Sequence, residues 1–270
     1  MARPYAIVFA NAKGGVGKTT TAVHVAGAFA ETGVETLLVD LDPQASATRH
    51  LGLDPDALAP TVTDVLIDPA GGIARAAHPT RYDRLACAPA HESLGEMESE
   101  LSSLPGREGL LAEALAATAS APWRTLVIDV PPALSLYTVN ALRAADAVVI
   151  PIQTHPFALA SVPRTLEMVD KVRRRLNPRL AVLGYLATLY DKRTRVAREC
   201  VTRMESEFGD DLLESMIPVN VALAEAAREG RLLYEIDPDS AGATAYYAAA
   251  AEIVRRIRSR RARGAAGEAA

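Results

Sequence analysis

The expected architecture follows from one glycine-rich stretch, Asn11-Ala12-Lys13-Gly14-Gly15-Val16-Gly17-Lys18-Thr19-Thr20. The apolar residues 6–9 before it predict a strand, and the alanine-rich residues 21–31 after it predict a helix. A glycine loop between a strand and a helix is typical of a phosphate-binding loop, because glycines let backbone N–H groups turn towards an anion and the helix N-terminus adds positive potential. In such a loop Lys18 reaches the phosphates and the Thr19 hydroxyl holds Mg²⁺.

Composition narrows the class of protein. The chain has 270 residues, of which 49% are hydrophobic and 23% charged, as in an ordinary globular domain. The net charge of −4 predicts no general affinity for polyanions, so any contact with nucleic acid requires a local basic patch. Cys87 and Cys200 are expected to be free thiols. With no membrane-length apolar run and no signal-peptide pattern, we expect a cytoplasmic protein.

Predicted strands and helices alternate along most of the chain, which indicates a parallel sheet covered on both faces. The fold class expected is therefore α/β: a single-domain, doubly wound, mostly parallel sheet. Further strands are predicted at residues 35–40, 84–88, 125–129, 146–151, 180–189 and 212–217, and further helices at residues 62–67, 109–117, 159–175, 195–208, 222–229 and 242–258. Residues 54–122 are the least regular part. One domain is expected over residues 1–257, followed by a basic, flexible tail over residues 258–270.

Two predicted strands end in aspartates. The segment Val39-Asp40-Leu41-Asp42 closes the second strand, and Asp129 ends the apolar strand before Val130-Pro131-Pro132. Ligands of open parallel sheets lie beyond the carboxyl ends of the strands, so these carboxylates should face the glycine loop. Asp40 and Asp129 are then candidates for the water shell of a metal. A strand-end aspartate, or an Asp-Pro pair that simply ends a strand, is the alternative.

The sequence Lys-Gly-Gly-Val-Gly-Lys-Thr-Thr at residues 13–20 resembles the deviant Walker A loop of the ParA/MinD family of dimerising ATPases, in particular the ParA/Soj-type partition ATPases. The resemblance implies ATP and Mg²⁺ as cofactors and a homodimer that forms on ATP binding. It implies that Lys13 crosses to the nucleotide of the partner subunit, that Asp42 positions the attacking water and that Asp129 supports the metal. A solvated loop lysine is the alternative for Lys13.

The resemblance extends over nearly the whole chain. Nucleotide contacts are expected from Lys13, Gly14, Gly15, Val16, Gly17, Lys18, Thr19, Thr20, Pro218 and Asn220. Family members carry Pro and Asn at the adenine, which Pro218 and Asn220 match, although Asn220 could instead cap the following helix. Where the family usually has Gly-Asn-Ala-Thr after the aspartate of switch I, this chain has Ala45-Ser46-Ala47-Thr48.

Partition relatives bind DNA nonspecifically as ATP dimers, and the resemblance makes Arg193 and Arg195 the first candidates for DNA contacts. Val219 and Ala222 stand where relatives have arginines, which weakens the expectation. Arginines near the C-terminus, including Arg255 and Arg256, could compensate, or could simply be a solvated helix end. The tail after Ile257 has no bulky apolar face, so membrane binding is not expected.

The resemblance therefore implies a slow ATPase that positions or segregates DNA or a cellular cargo and is stimulated by a ParB-like partner. Its location would be cytoplasmic, with nucleoid association if it binds DNA. Two alternatives remain: a P-loop enzyme acting on a small molecule, such as a biotin-synthesis ligase, and a nucleotide sensor without turnover. A nitrogenase-reductase relative would need bridging cysteines, and neither Cys87 nor Cys200 lies near a suitable motif.

Overall fold

The computed structural model describes residues 3–118 and 122–268, with side chains described as far as residue 262. Its strands are β1 (Tyr5–Phe9), β2 (Thr36–Asp40), β3 (His78–Pro79), β4 (Leu85–Ala88), β5 (Thr125–Asp129), β6 (Ala147–Gln153), β7 (Ala181–Tyr190) and β8 (Leu212–Pro218). Its helices are α1 (Lys18–Glu31), α2 (Ser46–His50), α3 (Val62–Ile67), α4 (Ser93–Ser103), α5 (Leu110–Ala116), α6 (Leu136–Ala144), α7 (Val162–Arg175), α8 (Arg195–Phe208), α9 (Val221–Glu229), α10 (Leu233–Ile236) and α11 (Ala241–Glu268).

The described strands form one eight-stranded sheet in the order β3-β4-β2-β5-β1-β6-β7-β8. Every neighbouring pair is parallel except the short edge pair β3 and β4. In the centre of the sheet the register aligns Asp129 with both Phe9 and Asp40. The carboxyl ends of β1, β2 and β5 are therefore level, and the loops that follow them open at one edge.

Apolar side chains alternate between two cores, one on each face of the sheet. One core joins residues such as Val8 and Ile128 to helices α3 to α8, and the other joins residues such as Ile7 and Val127 to α1, α9, α10 and α11. This arrangement confirms the predicted doubly wound α/β fold, since helices cover both faces. None of the described helices is long and apolar enough to cross a bilayer.

The main differences from the predicted elements lie outside the central sheet. Helices α2, α4, α6 and α10 and the edge strand β3 are additional. Helix α11 does not end at Arg258 but continues to Glu268, which corrects the expectation that this stretch frays. Alanine and arginine are both strong helix formers, so the Arg/Ala composition that suggested a tail also suits a helix.

Candidate functional site

The glycine loop connects β1 to α1 and has the backbone shape that an anion requires. Gly15 and Gly17 have φ angles of 71° and 79°, in the left-handed region that favours glycine. A Cβ added at Gly15 would have no heavy atom within 4 Å, so the loop borders open space. Helix α1 begins at Lys18, and no side chain of the described residues caps it. The N–H groups of this helix end are therefore left to a ligand.

Asn11 holds the start of the loop in place. Its Nδ2 donates to the Pro151 carbonyl at 2.8 Å, which ties the loop to β6. Its Oδ1 accepts from the Lys13 N–H and from the Ser161 hydroxyl, each at 3.0 Å. Because both ends of this buried amide are satisfied, the loop is positioned before any ligand binds.

Two threonines that the sequence did not single out also brace the loop. Thr165 in α7 accepts at its Oγ1 from the Ala12 N–H at 3.0 Å. Thr188 in β7 donates from its hydroxyl to the Val16 carbonyl at 2.9 Å. Both lie more than 150 residues from their partners, so no local sequence pattern could have identified them.

The two lysines of the loop have different surroundings. Lys18 is 6% exposed, and its Nζ donates to the Lys13 carbonyl at 3.2 Å. Burial lowers the pKa of Lys18, and the nearby Asp129 and Asp42 oppose that shift. The Lys13 side chain is half-buried, and its amino group has no hydrogen-bond or ion-pair partner among the described residues.

Asp129 at the end of β5 is completely buried, and within the described residues neither of its carboxylate oxygens has a hydrogen-bond partner. Burial raises its pKa well above the ordinary value, and Asp40 and Asp42 raise it further. The Thr19 hydroxyl and the Lys18 ammonium lie close enough to lower this pKa in part. A buried carboxylate without a donor is costly in a protein interior, and a hydrated cation beside Thr19 would satisfy it.

The side chains at this site suit Mg²⁺, which keeps several of its own waters, better than a cation whose ligands all come from the protein. Among residues 3–118 and 122–262, whose side chains are described, no group of three or more His, Cys, Asp or Glu side chains is placed to bind a metal. Mg²⁺ is typically held by one or two carboxylates, its own waters and phosphate oxygens. Thr19 and Asp129 match that pattern.

Asp40 has a different environment from the one predicted for a metal-supporting residue. Its Oδ1 accepts from the Asp42 N–H at 3.0 Å, and its Oδ2 accepts from the N–H and the hydroxyl of Thr48 at 2.9 and 2.8 Å. Burial raises its pKa to about 6, and the Thr48 hydrogen bonds oppose the shift. Asp40 therefore holds the segment that carries Asp42, a positioning role that its place on a strand end did not reveal.

Asp42 lines an open cavity of about 430 Å³ above the glycine loop. It is 8% exposed, and its Oδ1 accepts from the Gln44 N–H at 3.0 Å. The lining residues come from the loop, α1, the segment after β2 and three further segments: Gly15, Gly17, Lys18, Thr19, Thr20, Asp42, Ser46, His50, Pro132, Leu189 and Ala227. The volume is within the range of small-molecule sites, and the cavity brings Asp42 together with the predicted phosphate-binding residues.

The remaining predicted nucleotide residues do not line this cavity. Lys13 and Gly14 lie on the outer part of the loop, and Val16 is fully buried. Asn220 caps α9, because its Oδ1 accepts from the Ala222 N–H at 2.9 Å. The capping alternative for Asn220 is thus observed. Pro218 ends β8 beside β7, one strand away from the cavity wall at Leu189.

Two buried histidines behind the loop were missed by the sequence reasoning. His24 hydrogen-bonds through Nδ1 to the Thr20 carbonyl at 2.8 Å and accepts at Nε2 from the Leu233 N–H at 3.1 Å. Its ring stacks on Tyr246 at 4.9 Å and meets the His50 ring edge-on at 5.1 Å. The Nε2 of His50 has no partner among the described residues. Burial lowers the pKa of His24 to about 4 and that of His50 to about 3.

Three of the four arginines predicted to contact DNA are exposed but engaged in local ion pairs. Arg193 forms two hydrogen bonds of 2.9 Å to Asp191. Arg195 pairs with Glu199 at 2.6 Å on α8, and Arg255 pairs with Glu214 at 3.1 Å. Exposed pairs of this kind are weak, so the guanidinium groups remain available to a phosphate.

Arg256 is a structural residue, and the prediction that it contacts DNA is corrected. Its side chain is only 20% exposed and pairs with the buried Glu252 at 3.0 Å. It also donates to the Leu212 carbonyl at 2.6 Å. The pair with Glu252 lies within α11, and the bond to Leu212 fastens α11 to β8. A guanidinium committed in this way is not free to bind DNA.

Comparison with known proteins agrees with this geometry. The family described as AAA domain matches residues 5–182. The chromosome partitioning protein ParA of Caulobacter vibrioides is 38% identical over 260 residues, which cover 96% of this chain and 97% of that protein. The sporulation initiation inhibitor protein Soj of Bacillus subtilis is 38% identical over 247 residues, which cover 92% of this chain and 97% of Soj.

Solved structures give the same fold. Cobyrinic acid a,c-diamide synthase from Mycobacterium smegmatis, with bound ATP analog and magnesium, superposes with a TM-score of 0.82 at 34% identity, covering 95% of this chain and 96% of that one. Apo McdA from Cyanothece superposes with a TM-score of 0.81 at 22% identity, covering 93% and 99%. The second similarity concerns the fold alone.

Proposed function

Because this chain belongs to the ParA/Soj family of partition ATPases, we propose that it is a switch that binds ATP with Mg²⁺, dimerises in that state and positions DNA or a cellular cargo. The observation that carries the proposal is Asp129, a buried carboxylate without a hydrogen-bond donor among the described residues, beside Thr19 at an open glycine loop. A site with an unpaired buried carboxyl group and unpaired N–H groups among the described residues is suited to a metal–phosphate ligand.

Each residue of the site has a proposed role. Lys18 and the N–H groups at the start of α1 hold the phosphates, while Thr19 and Asp129 hold the metal, which neutralises phosphate charge when bound. Asp42 orients the attacking water and accepts its proton from a position that Asp40 holds in place. Hydrolysis is expected to be slow in the isolated protein.

Lys13 is proposed to act across the dimer. Its half-buried side chain has no acceptor within the part of the chain that the structure describes, although its backbone is fixed by Asn11 and Lys18. A positioned lysine without an intramolecular partner fits a role at the nucleotide of the partner subunit. We further propose that a ParB-like protein stimulates hydrolysis and that the protein is cytoplasmic.

Nonspecific DNA binding is the weaker part of the proposal. Arg193, Arg195 and Arg255 are exposed on the surface, but Arg256 is not available. Val219 is 54% exposed, and the family resemblance leads us to expect an arginine at this position, so that phosphate contact is not expected here. DNA binding would be salt-sensitive and modest in affinity.

One rival function has a specific observation in its favour, because a cobyrinic acid a,c-diamide synthase is 34% identical to this chain. A small-molecule ligase would couple ATP cleavage to an organic acid and would respond to neither DNA nor a partner protein. A phosphate-release assay with and without duplex DNA and a ParB-like protein separates the two functions. Stimulation by the partner protein supports partition, and a requirement for an organic acid contradicts it.

Replacing Lys18 by alanine tests the phosphate site. Lys18→Ala should weaken ATP binding at least about 100-fold, because a buried ammonium that pairs with phosphate is lost. Isothermal titration with ATP and Mg²⁺ measures the effect. Lys171→Ala is the matched control, since Lys171 pairs with Glu167 on the exposed face of α7. ATP binding at unchanged affinity in the Lys18 variant would remove the basis of the assignment.

Replacing Asp42 by alanine separates binding from turnover. Asp42→Ala should bind ATP with near-normal affinity, hydrolyse it at least about 100-fold more slowly and accumulate as a dimer, because only the water-orienting carboxylate is removed. Phosphate release and the molar mass from light scattering, each with ATP present, report the two effects. Normal turnover would place water orientation elsewhere, and a monomer in the presence of bound ATP would contradict the dimer switch.

A further inference from the structure

A second cavity lies at the opposite end of the sheet from the glycine loop. It has a volume of about 500 Å³ and is formed by the first residues of β1 and β5, the end of α1 and one face of α11. Thr125 lines it, and Asp129 ends the same strand four residues later, so this cavity lies about 13 Å from Asp129 along β5. The roles proposed for the ATPase cycle do not use it, and neither do the DNA candidates Arg193, Arg195, Arg255 and Arg256.

The inner wall of this cavity is aromatic. Phe29 is 3% exposed, and the partly buried rings of Tyr5 and Trp123 stand beside it. Flat aromatic walls bind ring systems by stacking and edge contacts. They bury a large apolar area while only a few rotatable side-chain bonds are immobilised. The wall therefore suits a planar, apolar body.

The rim of the cavity is cationic. Arg3, Arg124, Arg258 and Arg261 line it, in a chain whose net charge is −4. Arg3 pairs with Asp146, but the other three form no ion pair with any described residue. Arg261 instead lies over the Tyr5 ring, 4.7 Å from its centre. The three guanidinium groups without a carboxylate partner among the described residues are suited to a carboxylate, sulfonate or phosphate.

We propose that this cavity is a binding site for a small molecule that combines a planar aromatic body with an anionic group. The enclosed aromatic wall favours such a ligand over DNA, because a duplex backbone would meet the rim arginines without filling the space behind them. The site is separate from the glycine loop, since it is formed at the amino ends of β1 and β5 together with the end of α1 and one face of α11.

The chain provides its own reporter, because Trp123 is its single tryptophan and lines this cavity. The probe is anilinonaphthalene sulfonate, an anion with a planar naphthalene ring system whose absorption overlaps tryptophan emission. We expect saturable binding of one dye per chain with energy transfer from Trp123, in the absence and presence of ATP. N-phenylnaphthylamine, which lacks the sulfonate, is the matched probe and should bind about tenfold more weakly or not at all.

Substitutions on two sides of the cavity test the role of charge. Arg124→Gln and the double substitution Arg258→Gln with Arg261→Gln should each weaken sulfonate binding about tenfold and leave the neutral dye unaffected. Arg255→Gln is the control, since Arg255 lies on the same helix but pairs with Glu214. Equal binding of both dyes, no effect of the arginine substitutions, absence of binding or full displacement of the dye by a short duplex DNA would each overturn the proposal.

Discussion

The ends of β2 and β5 look alike in sequence and differ in structure. Each is an apolar strand that ends in an aspartate, the register places Asp40 beside Asp129, and both are completely buried. Asp40 accepts three hydrogen bonds, whereas neither oxygen of Asp129 has a partner with hydrogen-bond geometry in the described chain. The Thr19 hydroxyl is the donor that lies close enough to act on the pKa of Asp129. The Asp40 carboxylate therefore stabilises the loop that follows it, whereas the Asp129 carboxylate is available to a ligand.

The residues that follow each strand explain the difference. After Asp40 the chain turns back through α2 and returns the N–H and hydroxyl of Thr48 to the carboxylate. After Asp129 come Val130, Pro131 and Pro132, and proline has no N–H to donate. The two prolines after Asp129 thus offer no N–H to its carboxyl group, which is left without a hydrogen-bond partner in the described chain. This arrangement costs stability in the empty protein, and a bound metal and nucleotide would offset that cost.

The largest expected effect comes from replacing Asp129, whose carboxyl group has no hydrogen-bond partner among the described residues. Asp129→Asn should reduce Mg²⁺-dependent ATP hydrolysis at least about 100-fold, because the metal loses its carboxylate support. The same change should raise the free energy of unfolding without nucleotide by about 1–3 kcal/mol, since a buried carboxylate without a donor disappears.

Phosphate release and urea unfolding of the nucleotide-free protein check the two effects of Asp129→Asn. Opposite changes in activity and stability are the signature of a site kept unsatisfied for a ligand. A variant that is both less active and less stable would show that Asp129 already has a structural partner.

Asp40→Asn sharpens the comparison, because its stability effect should have the opposite sign. The amide cannot accept at both ends, so a donor on Asp42 or Thr48 loses its acceptor, and the free energy of unfolding should fall by about 2 kcal/mol. Urea unfolding beside Asp129→Asn gives the contrast directly. If both substitutions stabilised the protein, Asp40 would not be organising its loop.

Much of this could be predicted from sequence, and the limits have physical causes. The central strands and the glycine loop are local patterns: the predicted strand at residues 125–129 coincides with β5, and the predicted helix at residues 195–208 coincides with α8. The braces at Thr165 and Thr188 are long-range hydrogen bonds and leave no local signal.

The second limit on prediction from the sequence is that the partners of a side chain depend on which way it faces in the fold. Arg255 and Arg256 are neighbours in sequence, but successive residues point about 100° apart around a helix, so one faces solvent and the other faces β8. Likewise, the two strand-end aspartates could not be told apart until the partner atoms of Asp40 were known. Composition alone suggested a frayed C-terminus, whereas helix propensity of the same residues carries α11 to Glu268.

The smallest expected effect concerns the two buried histidines. Like the two aspartates, they differ in whether their polar atoms have hydrogen-bond partners. His24 has partners for both ring nitrogens, whereas the Nε2 of His50 has none among the described residues. The pKa of His50 is lowered to about 3 from 6.5 by burial, with His24 as a further cause. Protonation of His50 is therefore disfavoured in the folded protein, whereas the same ring in the unfolded chain is protonated below about pH 6.5. The free energy of unfolding consequently decreases as the pH falls below this value.

His50→Gln should remove its share of this pH dependence. Between pH 7 and pH 5 the wild-type free energy of unfolding should fall by about 1–2 kcal/mol more than that of the variant. The raised pKa of Asp40 acts in the opposite direction over the same range, so the difference between the two proteins is the informative quantity. His155→Gln, at an exposed histidine, controls for the loss of an imidazole. Parallel pH profiles for wild type and His50→Gln would mean that the His50 ring is charged or paired in the folded protein.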